Sequence, residues 1–390
     1  MNSESFAGYL RQNGKVGTRN LLAIIPTVFC VNELVQSLAA LVPGSRPLIH
    51  MHGCCELKPS LDRTTRALCG LIANPNVGGC VIVSLGCEAI DSRDLLAAAE
   101  REGKPALLIN LQEEGGLRNC IDRRLAEVRD LKAAVDRAER TACDLSHIVA
   151  GIKCGSSDAT SGLAANPAAG VAADMLVERN GTVIFGETTE FIGAEHILAE
   201  RCRTPEVRRH LLEIVDRTER RAASAGVDMR GSQPTPGNIR GGLTTIEEKS
   251  LGAISKSGSQ PIDDVLEYGQ PTGGKGLYVM DSPGKENEIM TGLAAAGANL
   301  IVFTTGGGAP QGFPLVPVVK VASNPRKCLK MKDHIDLDVS GILDGSLSVE
   351  EAGRRIYQVA LEAASGKTTK AEELGYDKTI GFFDPTGASI

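Results

Sequence analysis

The chain has no tryptophan, and aromatic residues make up only 3 % of its 390 positions. It is poorly equipped to stack sugar rings or nucleobases on aromatic faces. It also lacks a basic excess: 42 Lys and Arg stand against 48 Asp and Glu, for a formal net charge of −6. That balance offers no electrostatic grip on a phosphate backbone, so nucleic acid is not an expected partner. No run of apolar residues is long enough for a helical membrane span, and the opening MNSESFAGYL lacks the apolar core of a secretory signal. The expected location is the cytoplasm. The eleven Cys are then reduced, and most serve as small buried hydrophobes.

What is present suits an enzyme of two α/β domains. The apolar fraction is 42 % and Gly is abundant at 44 residues, and the length predicts two or three domains. Apolar runs alternate with helical patterns, as in LLAIIPTVFC followed by a helix over 31–41, and GGCVIVSLGCE followed by one over 91–102. Such alternation predicts parallel sheets. A short strand is expected in PLIHMHGCC, and a long charged helix over 117–141 reads as a solvated connector. The boundary is placed at its end, giving an α/β domain over 1–142 and a second parallel-sheet domain over 143–390.

The second domain opens with the segment the chain is organised around, 148–190. It reads as a βαβ unit: an apolar strand ending at Cys154, the loop Gly155-Ser156-Ser157-Asp158, a helix starting at Asn166-Pro167, and a strand TVIFGE leading to Glu187 and Glu190. Asn suits an N-cap and Pro the first helical position. Both strand ends should face one crevice, the usual ligand position in open α/β sheets. Further on, 232–258 is dense in Pro, Gly, Ser and Thr and is expected to be an extended functional loop.

Apolar strands that terminate in Cys recur at Cys30, Cys54, Cys87 and Cys154, which predicts four thiols on one rim. Thiolates suit iron, zinc or an iron–sulfur cluster, although no CxxC spacing is present. His52 is a candidate ligand or general base. The glycine-rich loops around 241–242 and 306–308 match neither a P-loop nor GxGxxG. With Arg240 and Lys249 beside the first, they suggest a carboxylate or sulfonate pocket. Lys249 is a second candidate base, and Arg19 a second anion ligand.

The motifs GYLRQNGKVGTRNLLAIIPTVFC, NPNVGGCVIVSLGCE, CGSSDATSGLAANPA and PGNIRGGLTTIEEKSLGA, with FTTGGG through PVVKVASN, resemble the altronate/galactarate dehydratase family, in the same order over nearly the whole chain. The resemblance implies an iron-dependent hydro-lyase of sugar acids, with a dimerising α/β domain and a Rossmann-like C-terminal domain. It also implies a homodimer and a small β-rich module that a separate subunit could supply, an arrangement similar to the large subunit of (2R)-sulfolactate sulfo-lyase. A non-catalytic binding subunit is the alternative of another class. On this reading Cys54, Cys87, Cys154 and Glu187 hold the iron. His52, Lys249 and Glu190 are the catalytic candidates. Arg19, Ser157, Asp158, Asn238 and Arg240 bind a small acidic substrate.

Overall fold

The computed structural model describes residues 5–386. The first domain is built on a four-stranded parallel sheet in the order Arg46–Pro47, Leu21–Pro26, Val77–Ser84, Ala106–Asn110. Because successive strand residues face opposite sides, Leu22 and Ile24 join a core with the helices Asn32–Leu41 and Leu117–Asp136. Ala23 and Ile25 join a second core with Lys58–Ala73 and Ser92–Arg101. Asp91 caps the last of these by accepting from the backbone N–H of Arg93.

The second domain carries seven strands, all parallel, in the order Ile262–Leu266, Gly276–Met280, Thr182–Phe185, Val149–Gly155, Leu300–Thr305, Val318–Ala322, Leu337–Asp338. One face packs on the helices Asn166–Glu178 and Val349–Ala364. The other packs on Glu286–Ala295, which in turn meets Lys58–Ala73 of the first domain. That approach is close: a Cβ on Gly70 would stand 2.4 Å from the Ala295 carbonyl oxygen. The α/β architecture with parallel sheets is as expected.

Four local expectations fail, each for a physical reason. The connector helix stops at Asp136, and Thr141–Asp144 instead pairs antiparallel with Ser5–Leu10. In PLIHMHGCC only Pro47 is in a strand; the Asn32 amide holds the His50 carbonyl instead of a ladder partner. Asn166 is not an N-cap, because the chain already winds helically before it and Ser161–Ala165 forms a π-turn. The wider i→i+5 bonding suits a segment running into Pro167, which has no N–H to donate. The Asn166 side chain bridges the Gly252 carbonyl and the Thr304 hydroxyl. Lastly, 232–258 is not an extended loop: it contains the helices Pro236–Arg240 and Ile246–Ile254, capped by Thr235 and Thr245.

Beside the apolar contact between Glu286–Ala295 and Lys58–Ala73, the seam between the domains carries a set of polar bonds. Asn74 donates to the carbonyls of Ala294 and Ala298, Asn76 to those of Asn299 and Leu315, and Asn299 to those of Val16 and His147. Arg19 spends all five N–H groups here. It forks onto Glu372 at 2.7 and 2.8 Å and donates to the carbonyls of Thr18, Ala363 and Lys367. No helix among the described residues is long and apolar enough to cross a membrane.

Candidate active site

Cys154 lies at the carboxyl end of the strand Val149–Gly155, and Glu187 and Glu190 follow the neighbouring strand Thr182–Phe185. Parallel neighbours put both ends on the same edge. Glu187 adopts a left-handed backbone (φ +72°), a conformation uncommon for a non-glycine residue. Its N–H donates to the Ser282 hydroxyl, and the Thr188 N–H to the Ser282 carbonyl. The chain thereby turns the Glu187 carboxylate toward the end of the neighbouring strand at Cys154.

The result is a buried group. The Cys154 N–H donates to Glu187 Oε2 at 2.8 Å, and the Cys154 thiol donates to Glu190 Oε2 at 2.9 Å. The Lys256 ammonium enters from the turn Ser255–Ser257, donating to Glu187 Oε2 at 2.6 Å and Glu190 Oε2 at 2.8 Å, with Cys154 Sγ at 3.4 Å. A second ammonium, Lys153, stands 3.5 Å from Glu187 Oε1 and 4.0 Å from the centre of the Phe303 ring. Neither the Lys153 nitrogen nor Glu187 Oε1 has a hydrogen-bond partner, although both are buried.

Burial in low dielectric disfavours charge, and fixed neighbours oppose it. Burial, reinforced by Glu190, pushes the Cys154 thiol up, so it stays protonated. Burial would raise Glu190 too, but Lys256 and Lys249 outweigh it and hold that carboxyl at about 2. Glu187 moves the other way, because burial exceeds the pull of Lys256. Lys256 would be lowered by burial, yet Cys154, Glu187 and Glu190 keep it well above the ordinary lysine range. A carboxylate held as low as Glu190 is a poor proton acceptor; its arrangement suits it to hold positive charge.

Beside this group opens a cavity of about 590 Å³ whose lining includes Ser157, Asp158, Asn166, Leu243, Glu248 and Lys249. Its sides come from the π-turn and from the helix Ile246–Ile254. Ser157 Oγ lies 3.7 Å from Cys154 Sγ, and the Lys249 ammonium 3.9 Å from Glu190 Oε1. These two side chains link the cavity to the buried group.

The structure therefore gathers Cys154, Glu187, Glu190, Ser157 and Lys249. Asp158 lines the same cavity, but its carboxylate is taken up by Thr160, the Ser161 N–H and Asn324. Asn238 holds the Ser157 carbonyl at 2.8 Å and closes a capping box with Thr235, so it shapes the loop. Arg240 is exposed on the next residues. Arg19 is not in this place: its guanidinium is consumed at the domain seam.

The expected single rim of thiols divides in two, because the Cys belong to different sheets. Cys30, Cys54 and Cys87 follow parts of the first domain, where the Ala89 N–H reaches the Gly53 carbonyl and the Phe29 N–H the His52 carbonyl. Among the described residues the one group of three or more His, Cys, Asp or Glu donors within 4.8 Å of each other is Cys154, Glu187 and Glu190. Cys54 and Cys87 are outside it. His52 likewise sits in the first domain, 3.3 Å from Glu56 and edge-on to Phe382. Sequence reasoning missed Lys153 and Lys256. The signal for Lys153 was a lone charge inside the apolar run VAGIKCG, since a buried lysine demands a partner.

One thiol and two carboxylates form a donor set suited to a divalent transition ion. The unsatisfied Glu187 Oε1 adds a free acceptor, so the residues fit such an ion chemically.

An open parallel sheet with a buried thiol, carboxylates and ammonium groups at its carboxyl edge, beside a cavity of small-molecule size, defines an α/β enzyme. Two family profiles match the chain. One, described as D-galactarate/altronate dehydratase, C-terminal, covers residues 145–384; the other, D-galactarate dehydratase/altronate hydrolase, second domain, covers 8–136. The chain is 37 % identical to (2R)-sulfolactate sulfo-lyase subunit beta of Chromohalobacter salexigens, over 97 % of each chain. It is 33 % identical to galactarate dehydratase (L-threo-forming) of Escherichia coli, over 98 % of this chain and 77 % of that one. With altronate dehydratase of Bacillus subtilis the identity is 31 %, over 95 % and 76 %. The chain belongs to the D-galactarate/altronate dehydratase family, a family of lyases.

Proposed function

We propose that this chain is an iron-dependent lyase that eliminates water from a small hydroxy acid of the sugar-acid class, with the reaction at the junction of the buried group and the cavity. The observation that carries this reading is the cavity's contact with Cys154 and Glu190 through Ser157 and Lys249. β-Elimination next to a carboxylate requires a proton to leave carbon, and the resulting charge must be spread onto the carboxylate oxygens and stabilised there. Cys154, Glu187 and Glu190 would hold the ion, which when bound supplies Lewis-acid stabilisation of that charge.

Lys249 is the lysine that lines the cavity. Its charge helps keep Glu190 ionised, which favours an electrostatic role toward the acid's carboxylate. Ser157, fixed by Asn238, offers a hydroxyl at the same corner. Leu163, Leu243 and Leu251 give the cavity apolar walls.

A second reading, with sulfite as the leaving group, is supported by the 37 % identity over almost the full length of a sulfolactate sulfo-lyase subunit. The name of that relative also supports a companion subunit for this chain. Sulfite departs without protonation, so this variant of the reaction needs no acid for the leaving group.

The test is an anaerobic assay of the iron-loaded full chain, alone and with a candidate small subunit. Altronate and galactarate would yield keto-deoxy acids; sulfolactate would yield pyruvate and sulfite. Silence on all three would refute the lyase reading. Lys249→Arg should keep substrate binding, whereas Lys249→Met should raise KM at least tenfold. Equal KM values for Lys249→Met and the native enzyme would remove Lys249 from the site.

A further inference from the structure

The Lys256 ammonium occupies the middle of the only donor group of its kind among the described residues. It lies 2.6 Å from Glu187 Oε2, 2.8 Å from Glu190 Oε2 and 3.4 Å from Cys154 Sγ, and its side chain is fully buried. These are the atoms a divalent ion would use. Carboxylate and thiolate ligands sit roughly 2.0–2.3 Å from such an ion, and that sphere has no room for an ammonium bonded to the same oxygens. We infer that Lys256 is the built-in counter-cation of this group and competes with a divalent metal for it, so that metal uptake requires the ammonium to leave its present contacts.

Two further observations support this. Both acidic oxygens that Lys256 holds are also bonded to Cys154: Glu187 Oε2 accepts from its backbone N–H and Glu190 Oε2 from its S–H. The other Glu187 oxygen, Oε1, is left without a hydrogen bond, with Lys153 3.5 Å away. The group therefore neutralises itself while keeping a buried acceptor in reserve. Cys154, Glu187 and Glu190 would hold the ion; for sulfur to serve as a ligand the Cys154 thiol would have to give up the proton it now shares with Glu190, and the Lys256 ammonium would leave with its charge unchanged. The inference rests on this group being the reaction centre, but it does not depend on which acid is eliminated.

The experiment is a Co²⁺ titration of the metal-free full chain without substrate, followed by the thiolate-to-cobalt charge-transfer band in the near ultraviolet and by thermal melting. Native protein should bind Co²⁺ weakly. Lys256→Gln should bind at least tenfold more tightly, with a stronger thiolate band that the added Cys154→Ser change removes. The metal-free Lys256→Gln protein should melt lower than native, and Co²⁺ should restore it, because burying two carboxylates without their cation is destabilising. Equal affinities for native and Lys256→Gln would overturn the inference. If Lys256→Gln does not fold, Lys256→Arg decides: a permanent cation of larger size should abolish the thiolate band, and a band equal to native would overturn the proposal. A Co²⁺ titration that behaves as expected while all three acids are inert would leave this inference standing and refute only the lyase function.

Discussion

Replacing Arg19 by Ala separates the two roles that its position in the sequence allows. In the structure its five donors serve Glu372 and three backbone carbonyls, and both partners of the ion pair are 12 % exposed. Glu372 is also committed locally, since it closes a capping box with Thr369. Burial would raise its carboxyl, and Arg19 is the main force holding it below the ordinary range. Removing the guanidinium leaves that carboxylate buried and uncompensated, which costs about 3–5 kcal/mol. The three carbonyls add about 0.5–1.5 kcal/mol each at most, and neighbouring losses of this kind are not additive. We therefore expect a total of about 4 kcal/mol, read from denaturant unfolding at neutral pH. A double-mutant cycle with Glu372→Gln should recover most of it as coupling energy. KM at a temperature where the variant is folded should equal that of the native enzyme. A tenfold rise in KM with an unchanged unfolding midpoint would show that Arg19 touches substrate and that the clasp is not its function.

Two further outcomes follow from the geometry. A Cβ on Gly306 would stand 2.0 Å from Asp158 Oδ1, so Gly306→Ala should cost about 1–3 kcal/mol by overpacking and lower turnover by displacing the loop that carries Ser157; unaltered stability would contradict the packing. His50 is buried, donates from Nε2 to the Pro26 carbonyl at 2.8 Å and accepts from the His52 N–H at 3.2 Å. Burial, against the Pro26 bond, lowers it from 6.5 to about 4. The unfolded chain then takes up the proton first, so stability present above pH 6.5 is lost as pH falls toward 4, by about 3 kcal/mol. His50→Gln should flatten that part of the stability profile measured by denaturant unfolding; a profile as steep as native would assign the loss to other groups.

The elements most visible in the sequence were those whose own residues determine them. The strand ending at Cys154 and the one leading to Glu187 read directly from apolar runs, and parallel pairing then carried both ends to one edge. Capping chemistry was legible but overlooked: Thr235 with Asn238, and Thr245, start helices inside a segment whose Gly and Pro content suggested a loop. What could not be read was whether the rims of the two sheets meet. Cys54, Cys87 and Cys154 share a local pattern, and only the packing of the two domains shows that Cys154 gathers with Glu187 and Glu190 and not with the other two thiols. Lys256 was hidden for a similar reason. It lies 69 residues from Glu187 along the chain, and nothing in Ile254-Ser255-Lys256-Ser257 marks a charge bound for the interior.

The buried asparagines at the seam have a mechanical meaning. With Asn74, Asn76 and Asn299 each donating twice to carbonyls across or beside the interface, opening the two sheets like a clam shell would have to break these hydrogen bonds together. The helix Ile246–Ile254, which forms one side of the cavity, takes no part in these bonds.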